Sequence, residues 1–267
     1  LAMELGRVSS HLVWWGTYLL DIGAISPFLY AFREREMIQN LLNELSGARL
    51  TFNYMRVGGV KWDAPEAWIE KVREFVPYMR EQLKGYHDLV TGNEIFMKRI
   101  KGVGAYTKEE AINYSLSGAN LRCTGVEYDL RKIEPYSIYD RFDFNIPTRK
   151  EGDAWARYQI RLEEIEESLK IIEQAVEQFP AEGAIMAKVP KIIKAPAGDA
   201  FVRIEAPRGE IGCYIASDGK KEPFRLRFRR PSFYNLQILP KLLKGENIAN
   251  LITILGAIDI VLGEVDG

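Results

Sequence analysis

The chain has 267 residues, of which 47% are hydrophobic and 27% charged, with a formal net charge of −1. That length can bury a sizeable core in one large or two small domains, and the even charge balance lacks the basic excess of a nucleic-acid binder, so no nucleic-acid partner is expected. With only Cys123, Cys213, His11 and His87, neither a Cys/His zinc site nor a four-thiolate iron–sulfur cluster can be assembled, and two lone thiols suit a reducing compartment.

Leu1–Ile22 reads as a helix with no capping residue ahead of it, so the chain is expected to begin inside a helix of a longer protein. No basic segment followed by an apolar run marks a signal peptide. Leu12–Phe32 carries a single charge, Asp21. Its length would fit a bilayer, but a central carboxylate costs about 2.5–3.5 kcal/mol there. With Pro27 present and a mean hydropathy of −0.17, a buried helix pair broken near Pro27 is expected instead. The second helix is predicted over Phe28–Leu45, with Gly47 closing it.

Thr51–Val60 is mixed and ends in a Gly58-Gly59 turn. Asp63-Ala64-Pro65-Glu66 opens a helix running to about Lys84, and another is predicted over His87–Arg99. Gly102–Arg149 is loop-rich, with a short helix from Thr107. Within it, Glu134–Phe144 alternates aromatic and charged residues, which predicts an irregular strand packed on a larger body. Asp153 caps a long helix to Phe179. Its apolar residues, Trp155, Tyr158, Leu162, Ile165, Leu169, Ile172, Val176 and Phe179, recur in alternating steps of 3 and 4, the seam of a helix packed in a bundle.

A Lys/Pro-rich connector leads to three strands, Ala200–Glu205, Glu210–Ala216 and Phe224–Arg229. The last alternates with period 2 and puts its arginines on one face. Ser232–Leu243 and Glu246–Leu262 read as closing helices. The expected class is mainly α, formally α+β: a helical body over 1–180 with a strand-like insertion, then a small antiparallel sheet with C-terminal helices over 181–267.

Generic motifs contribute little. Gly102-Val103-Gly104 lacks the third glycine of a dinucleotide fingerprint, and no P-loop is present. His11 beside Ser9-Ser10 reads as structural. Arg225, Arg227, Arg229 and Arg230 make a basic face, suited to an acidic partner or anionic headgroups, or simply to salt bridges on the sheet. Asp21, in an apolar stretch, is either half of an ion pair or a proton-handling group beside a ligand. Asp259 interrupts the apolar run Leu251–Leu262 and is followed by Glu264 and Asp266.

Longer segments carry more information. Ser10-His11-Leu12 followed by Leu20–Phe28, then Arg33–Glu36, Arg56–Val60, Leu121–Val126, Glu205–Gly212 and Arg230–Gln237 resemble, in order, the family of quinone-site subunits of bacterial respiratory complex I, NADH:quinone oxidoreductase. The resemblance implies the fold of the large subunit of nickel–iron hydrogenases, whose C-terminus carries Asp-Pro-Cys-x-x-Cys. Here Asp259 keeps the first place, while Ile260, Val261 and Glu264 stand where the proline and the cysteines would be. No soft thiolate remains for nickel or iron.

By the same resemblance, the vacated pocket receives a quinone headgroup close to the terminal 4Fe–4S cluster of a neighbouring subunit. Asp21 matches the acidic partner of a quinone-binding histidine, and is expected to act in catalysis and quinone binding. Val261 and Asp259 are expected to line the pocket. That histidine and a companion tyrosine lie upstream of Leu1. Thr51 stands near the cluster, where many relatives have a histidine, which suits a lower-potential menaquinone; Gly267 stands where relatives end in arginine.

The implied function is electron transfer from NADH, through iron–sulfur clusters held with NAD in partner subunits, to quinone, coupled to proton translocation. The chain itself is expected to bind no metal or cofactor and to be inactive alone. Membrane-arm subunits are implied partners, and the location is peripheral, on the cytoplasmic face of the cell membrane. The alternatives are an equivalent subunit fed by another donor such as ferredoxin, a hydrogenase-type catalytic subunit, or a scaffold.

Overall fold

Helix α1 (Ala2–Asp21) packs along its length against α2 (Ile25–Ser46) in a computed structural model that describes residues 1–180, 182–190 and 192–266. The break between them falls at Ile22-Gly23-Ala24, with Gly23 at φ 104°, rather than at Pro27. Pro27 lies in the first turn of α2, where its missing N–H forfeits no helical bond. Gly16 permits the close approach, since a Cβ there would stand 3.1 Å from the Cβ of Ala31. Helix α2 ends at Gly47, left-handed at φ 78° as the sequence predicts.

A small hairpin, β1 (Met55–Arg56) and β2 (Gly59–Val60), precedes α3 (Glu66–Tyr86). The predicted helix over His87–Arg99 is instead a π-helical turn at His87–Thr91 followed by α4 (Glu94–Ile100). The break has a local cause: the Asn93 side chain accepts from the Phe96 N–H at 3.0 Å and starts a new helix. Next come α5 (Lys108–Asn113), started by a Thr107/Glu110 capping box, then α6 (Ala119–Arg122) and α7 (Leu130–Ile133).

Glu134–Phe144 forms no strand, only a 3₁₀ turn at Tyr139–Arg141. Its aromatic side chains Tyr139, Phe142 and Phe144 do pack on a larger body, against Ile171 and Ala175 of α8 (Ala154–Glu177). Its backbone finds side chains in place of a neighbouring strand. The Asp143 N–H donates to Gln174 at 2.8 Å, and the Gln174 amide donates back to the Asp143 carbonyl at 2.7 Å.

Asp153 caps α8 at the Ala156 N–H, and the predicted seam from Tyr158 to Val176 is buried. Helices α1, α3, α6 and α11 (Ile248–Ile258) all pack against α8. The flank of α8 beside this seam is buried too, and it is charged: Arg157, Arg161 and Glu164 all lie inside.

The second sheet is antiparallel in the order β3 (Gly198–Ala206), β4 (Gly209–Ser217), β5 (Arg225–Arg229). Val202 pairs with Cys213 and Cys213 with Phe228, while Ala200 pairs with Ile215 and Ile215 with Leu226. Arg225 and Arg227 occupy the other face, as the alternation predicts. Helices α9 (Pro231–Leu236) and α10 (Leu239–Leu242) divide the predicted Ser232–Leu243 segment. Helix α11 stops at Asp259, and α12 (Leu262–Asp266) follows. The fold is thus mainly helical with small antiparallel sheets, and among the described residues no helix is long and apolar enough to cross a membrane.

Candidate functional site

Helix α11 lies close against α1: a Cβ on Gly256 would stand 2.6 Å from the Tyr18 ring. The carbonyls at its C-terminal end have no partners within the helix. Side chains from three other helices take them. Trp14 Nε1 donates to Gly256 O at 2.8 Å. Arg161 donates to Ala257 O at 2.9 Å and to Ile258 O at 3.2 Å. Asn120 Nδ2 donates to Ile258 O at 2.9 Å.

Asp259 then turns the chain out of the helix in the left-handed conformation, at φ 59°. Its carboxylate is 6% exposed and lies 3.3 Å from Arg208 Nε and 3.7 Å from Arg161 Nε. Both are charge contacts outside hydrogen-bond geometry, so Oδ2 has no hydrogen-bond partner among the described residues. Two residues on, the Val261 N–H donates to Ser232 Oγ at 3.3 Å while its side chain is 40% exposed. Ser232 in turn donates to Glu264. The tail therefore runs from a buried, charge-held aspartate to an open apolar side chain within two residues.

A nickel–iron centre does not fit these donors. Ile260 and Val261 offer no ligand atom, and the Glu264 carboxylate is engaged by Ser232. Cys123 is buried elsewhere, against the Asn120 carbonyl at 3.2 Å, and Cys213 lies on β4. Among the described residues, no group of three or more His, Cys, Asp or Glu side chains could hold a metal ion.

Beside this tail, on the same side of α8, lies a buried ionic cluster. Arg122 donates to Glu164 Oε1 at 2.6 Å and to Glu205 Oε1 at 2.8 Å. Arg131 donates to Asp129 at 2.7 Å and to Glu4 at 3.1 Å. Glu4 also accepts from the Tyr139 hydroxyl at 2.5 Å. Arg7 reaches the Glu205 carbonyl at 2.6 Å. His11, fully buried, places Nε2 2.9 Å from Glu164 Oε2, close enough for a hydrogen bond but off its angle.

Burial alone would raise these carboxyls, and for most of them the arginines outweigh it. Arg131 and Arg7 hold Glu4 down to about 2, and Arg122 and His11 hold Glu164 well below the usual carboxylate range. At Glu205, burial and the neighbouring Asp129 prevail over Arg122, and its carboxyl is raised. His11 is lowered by burial despite Glu164. The cluster ties α1, α6, α7, α8 and β3 into one joint and gives His11 the structural setting that its sequence context suggests.

Asp21 is exposed at the last residue of α1 rather than buried, because the chain leaves the helix pair there for the Gly23 turn. Thr51 is also exposed, left-handed at φ 51°, with its hydroxyl on the Leu50 carbonyl. Among the described residues, no hydrogen bond or ion pair joins Asp21 or Thr51 to Asp259 or Val261; Gly267 lies outside the described residues. Sequence reasoning missed Trp14, Asn120, Arg161 and Arg208, which hold the tail. Arg208 sits inside one of the resembling segments and Asn120 directly precedes another, a usable signal; Arg161 had none.

The family model described as "Respiratory-chain NADH dehydrogenase, 49 Kd subunit" matches residues 21–194 and 189–267. The D subunit of the NADH-quinone oxidoreductase of Bacillus anthracis is 84% identical over all 267 residues, which cover 73% of that protein. Its counterpart in Bacillus cytotoxicus is 81% identical over the same span. Among solved structures, a chain of the membrane-bound sulfane sulfur reductase, an archaeal respiratory membrane complex, superposes with a TM-score of 0.95 at 36% identity, over 99% of this chain and 73% of that one. The chain therefore belongs to the family of the 49 Kd subunit of respiratory-chain NADH dehydrogenase, an oxidoreductase subunit that works as part of complex I.

Proposed function

We propose that the chain supplies one wall of the quinone site of an NADH:quinone oxidoreductase. Val261 lines the site, Asp259 fixes the tail that carries it, and Asp21 handles a proton for the bound quinone. Electrons reach the quinone from NADH through iron–sulfur clusters in partner subunits, the terminal 4Fe–4S cluster lying nearest Thr51. The absence of a histidine at Thr51 favours a menaquinone acceptor. Proton translocation runs through membrane-arm subunits, and the chain sits peripherally on the cytoplasmic face of the membrane.

The observation that carries this reading is the tail itself. Asp259 is buried and charge-held, Val261 is open, and the tail carries no cysteine that could ligate a metal. The test is made in the intact complex. Asp21→Asn should lower quinone reduction about a hundredfold or more, in the range of one lost proton-transfer group, while NADH oxidation by artificial acceptors stays unchanged. Unaltered quinone reduction would remove Asp21 from the site.

A second reading, an equivalent subunit fed by a different electron donor, draws on the likeness to the sulfane sulfur reductase chain. The 84% identity to a subunit of NADH-quinone oxidoreductase favours the first. Co-purification of a flavin-bearing, NADH-oxidising partner would decide between them.

A further inference from the structure

We infer that Arg161 is the positioning residue of the quinone wall: its guanidinium sets where Asp259–Val261 stands, and thereby the fit of the quinone headgroup. This rests on the reading of the tail as part of a quinone site.

Among the described residues, Arg161 is the one side chain that reaches both the last carbonyls of α11 and the carboxylate beyond them. One amino group donates to Ala257 O at 2.9 Å and to Arg157 O, a turn back on its own helix, at 3.2 Å. The other donates to Ile258 O at 3.2 Å. Nε faces the Asp259 carboxylate at 3.7 Å. The guanidinium plane is steadied by the Trp14 ring, whose centroid lies 4.4 Å away. The residue is 1% exposed, so water cannot replace any of these contacts. A planar fork is required here: a lysine keeps the charge but cannot bond two successive carbonyls and stack on an indole together.

The contact pattern also separates positioning from holding the fold together. Helix α11 stays docked without Arg161. Trp14 retains Gly256 O, Asn120 retains Ile258 O, Gly256 still abuts Tyr18, and Ile254 and Ala257 remain in the core. What is lost is the donor at Ala257, the second donor at Ile258, and one of the two positive charges facing Asp259. The displacement should therefore concentrate in the residues after Ile258, which include Val261.

The experiment uses the intact membrane complex carrying Arg161→Gln, Arg161→Lys, Val261→Phe or Asp259→Asn, assayed with a short-chain quinone and with an artificial acceptor that bypasses the quinone site. Arg161→Gln is expected to raise the quinone KM about tenfold or more, the loss of one or two charge-assisted hydrogen bonds. Its kcat should change less, sensitivity to a quinone-analogue inhibitor should fall in parallel, and artificial-acceptor activity should persist. Arg161→Lys should fall between wild type and Gln, and it decides the matter if the Gln variant does not assemble. Quinone KM and inhibitor sensitivity unchanged in an assembled Arg161 variant, with Val261→Phe or Asp259→Asn shifting them, would overturn the inference. If neither Val261→Phe nor Asp259→Asn alters quinone kinetics, the quinone-wall reading itself fails, and this inference with it.

Discussion

The space around Glu164 and the outer face of the β3–β5 sheet invert the usual arrangement of a globular protein. Inside, Glu4, Arg122, Arg131 and Glu164 are each at most 1% exposed. Outside, Val202 is 63% exposed, Phe228 55%, Leu226 48% and Ile215 39%, on a single face of the sheet. The contrast teaches that burial here follows connectivity rather than side-chain type. Charges stay inside because each is paired with an opposite charge or hydrogen-bonded to a neighbouring element. The apolar sheet face stays open because no described element of this chain lies over it, and exposed apolar surface of that kind marks an interaction face in an assembly.

The buried cluster is most vulnerable at Arg122, which bonds both Glu164 and Glu205. Replacing it with methionine leaves Glu164 and Glu205 buried without their shared cation. The expected loss is about 3–5 kcal/mol, the range for a broken buried pair, read as a shift in the denaturation midpoint of the chain or as failed assembly. A change below 1 kcal/mol (roughly the worth of an exposed pair) would mean that the cluster is not a closed network.

Acid sharpens the same side. Glu4 has its folded-state value depressed from 4.5 to about 2, so its contribution is fully present above pH 4.5 and disappears as pH falls toward 2. Linkage over that interval is worth about 3 kcal/mol. Thermal midpoints measured across it should fall, and Glu4→Gln should fall less steeply from a lower start. Equal slopes would exclude Glu4 as the acid-sensitive group.

Gly256→Ala probes the packing between helices. A methyl group 2.6 Å from the Tyr18 ring forces the two helices apart, at a cost of about 1–3 kcal/mol. A wild-type melting temperature would show that Tyr18 yields freely. The smallest effect belongs to the sheet face: Phe228→Glu should change chain stability by no more than about 0.5 kcal/mol and raise solubility. A large loss in a melting experiment on the chain would mean that this face is covered after all.

Local features of the fold were legible in the sequence because their causes are local. Asp153, the Thr107/Glu110 pair and Gly47 mark helix ends through groups within four residues, and the seam of α8 follows from helical periodicity. Glu134–Phe144 misled because alternation of aromatic and charged residues describes a strand equally well, and the group that satisfies its backbone, Gln174, lies on another element. The charged line Arg157, Arg161, Glu164 has the spacing of a solvated helix face. Only its partners at Trp14, Arg122 and Ala257 reveal that it is interior. Asp259 was legible as an interruption of an apolar run, whereas the groups holding it come from residues 161 and 208. Asp21 suggested burial by its apolar neighbours, yet it sits where the chain turns away from the packed pair.

The contact between Gly256 and Tyr18 has a mechanical consequence. Tyr18 and Trp14 grip the end of α11 from α1, and Asp21 stands one turn further along that helix, about 4.5 Å beyond Tyr18 along its axis. A stiff helix transmits axial and rotational displacement with little loss over such a distance. If the tail meets a quinone as proposed, strain arising there would be felt at Asp21 as a small rotation of the last turn. Two acidic residues with no contact between them would thus move on one lever, with its fulcrum at a glycine that leaves no slack.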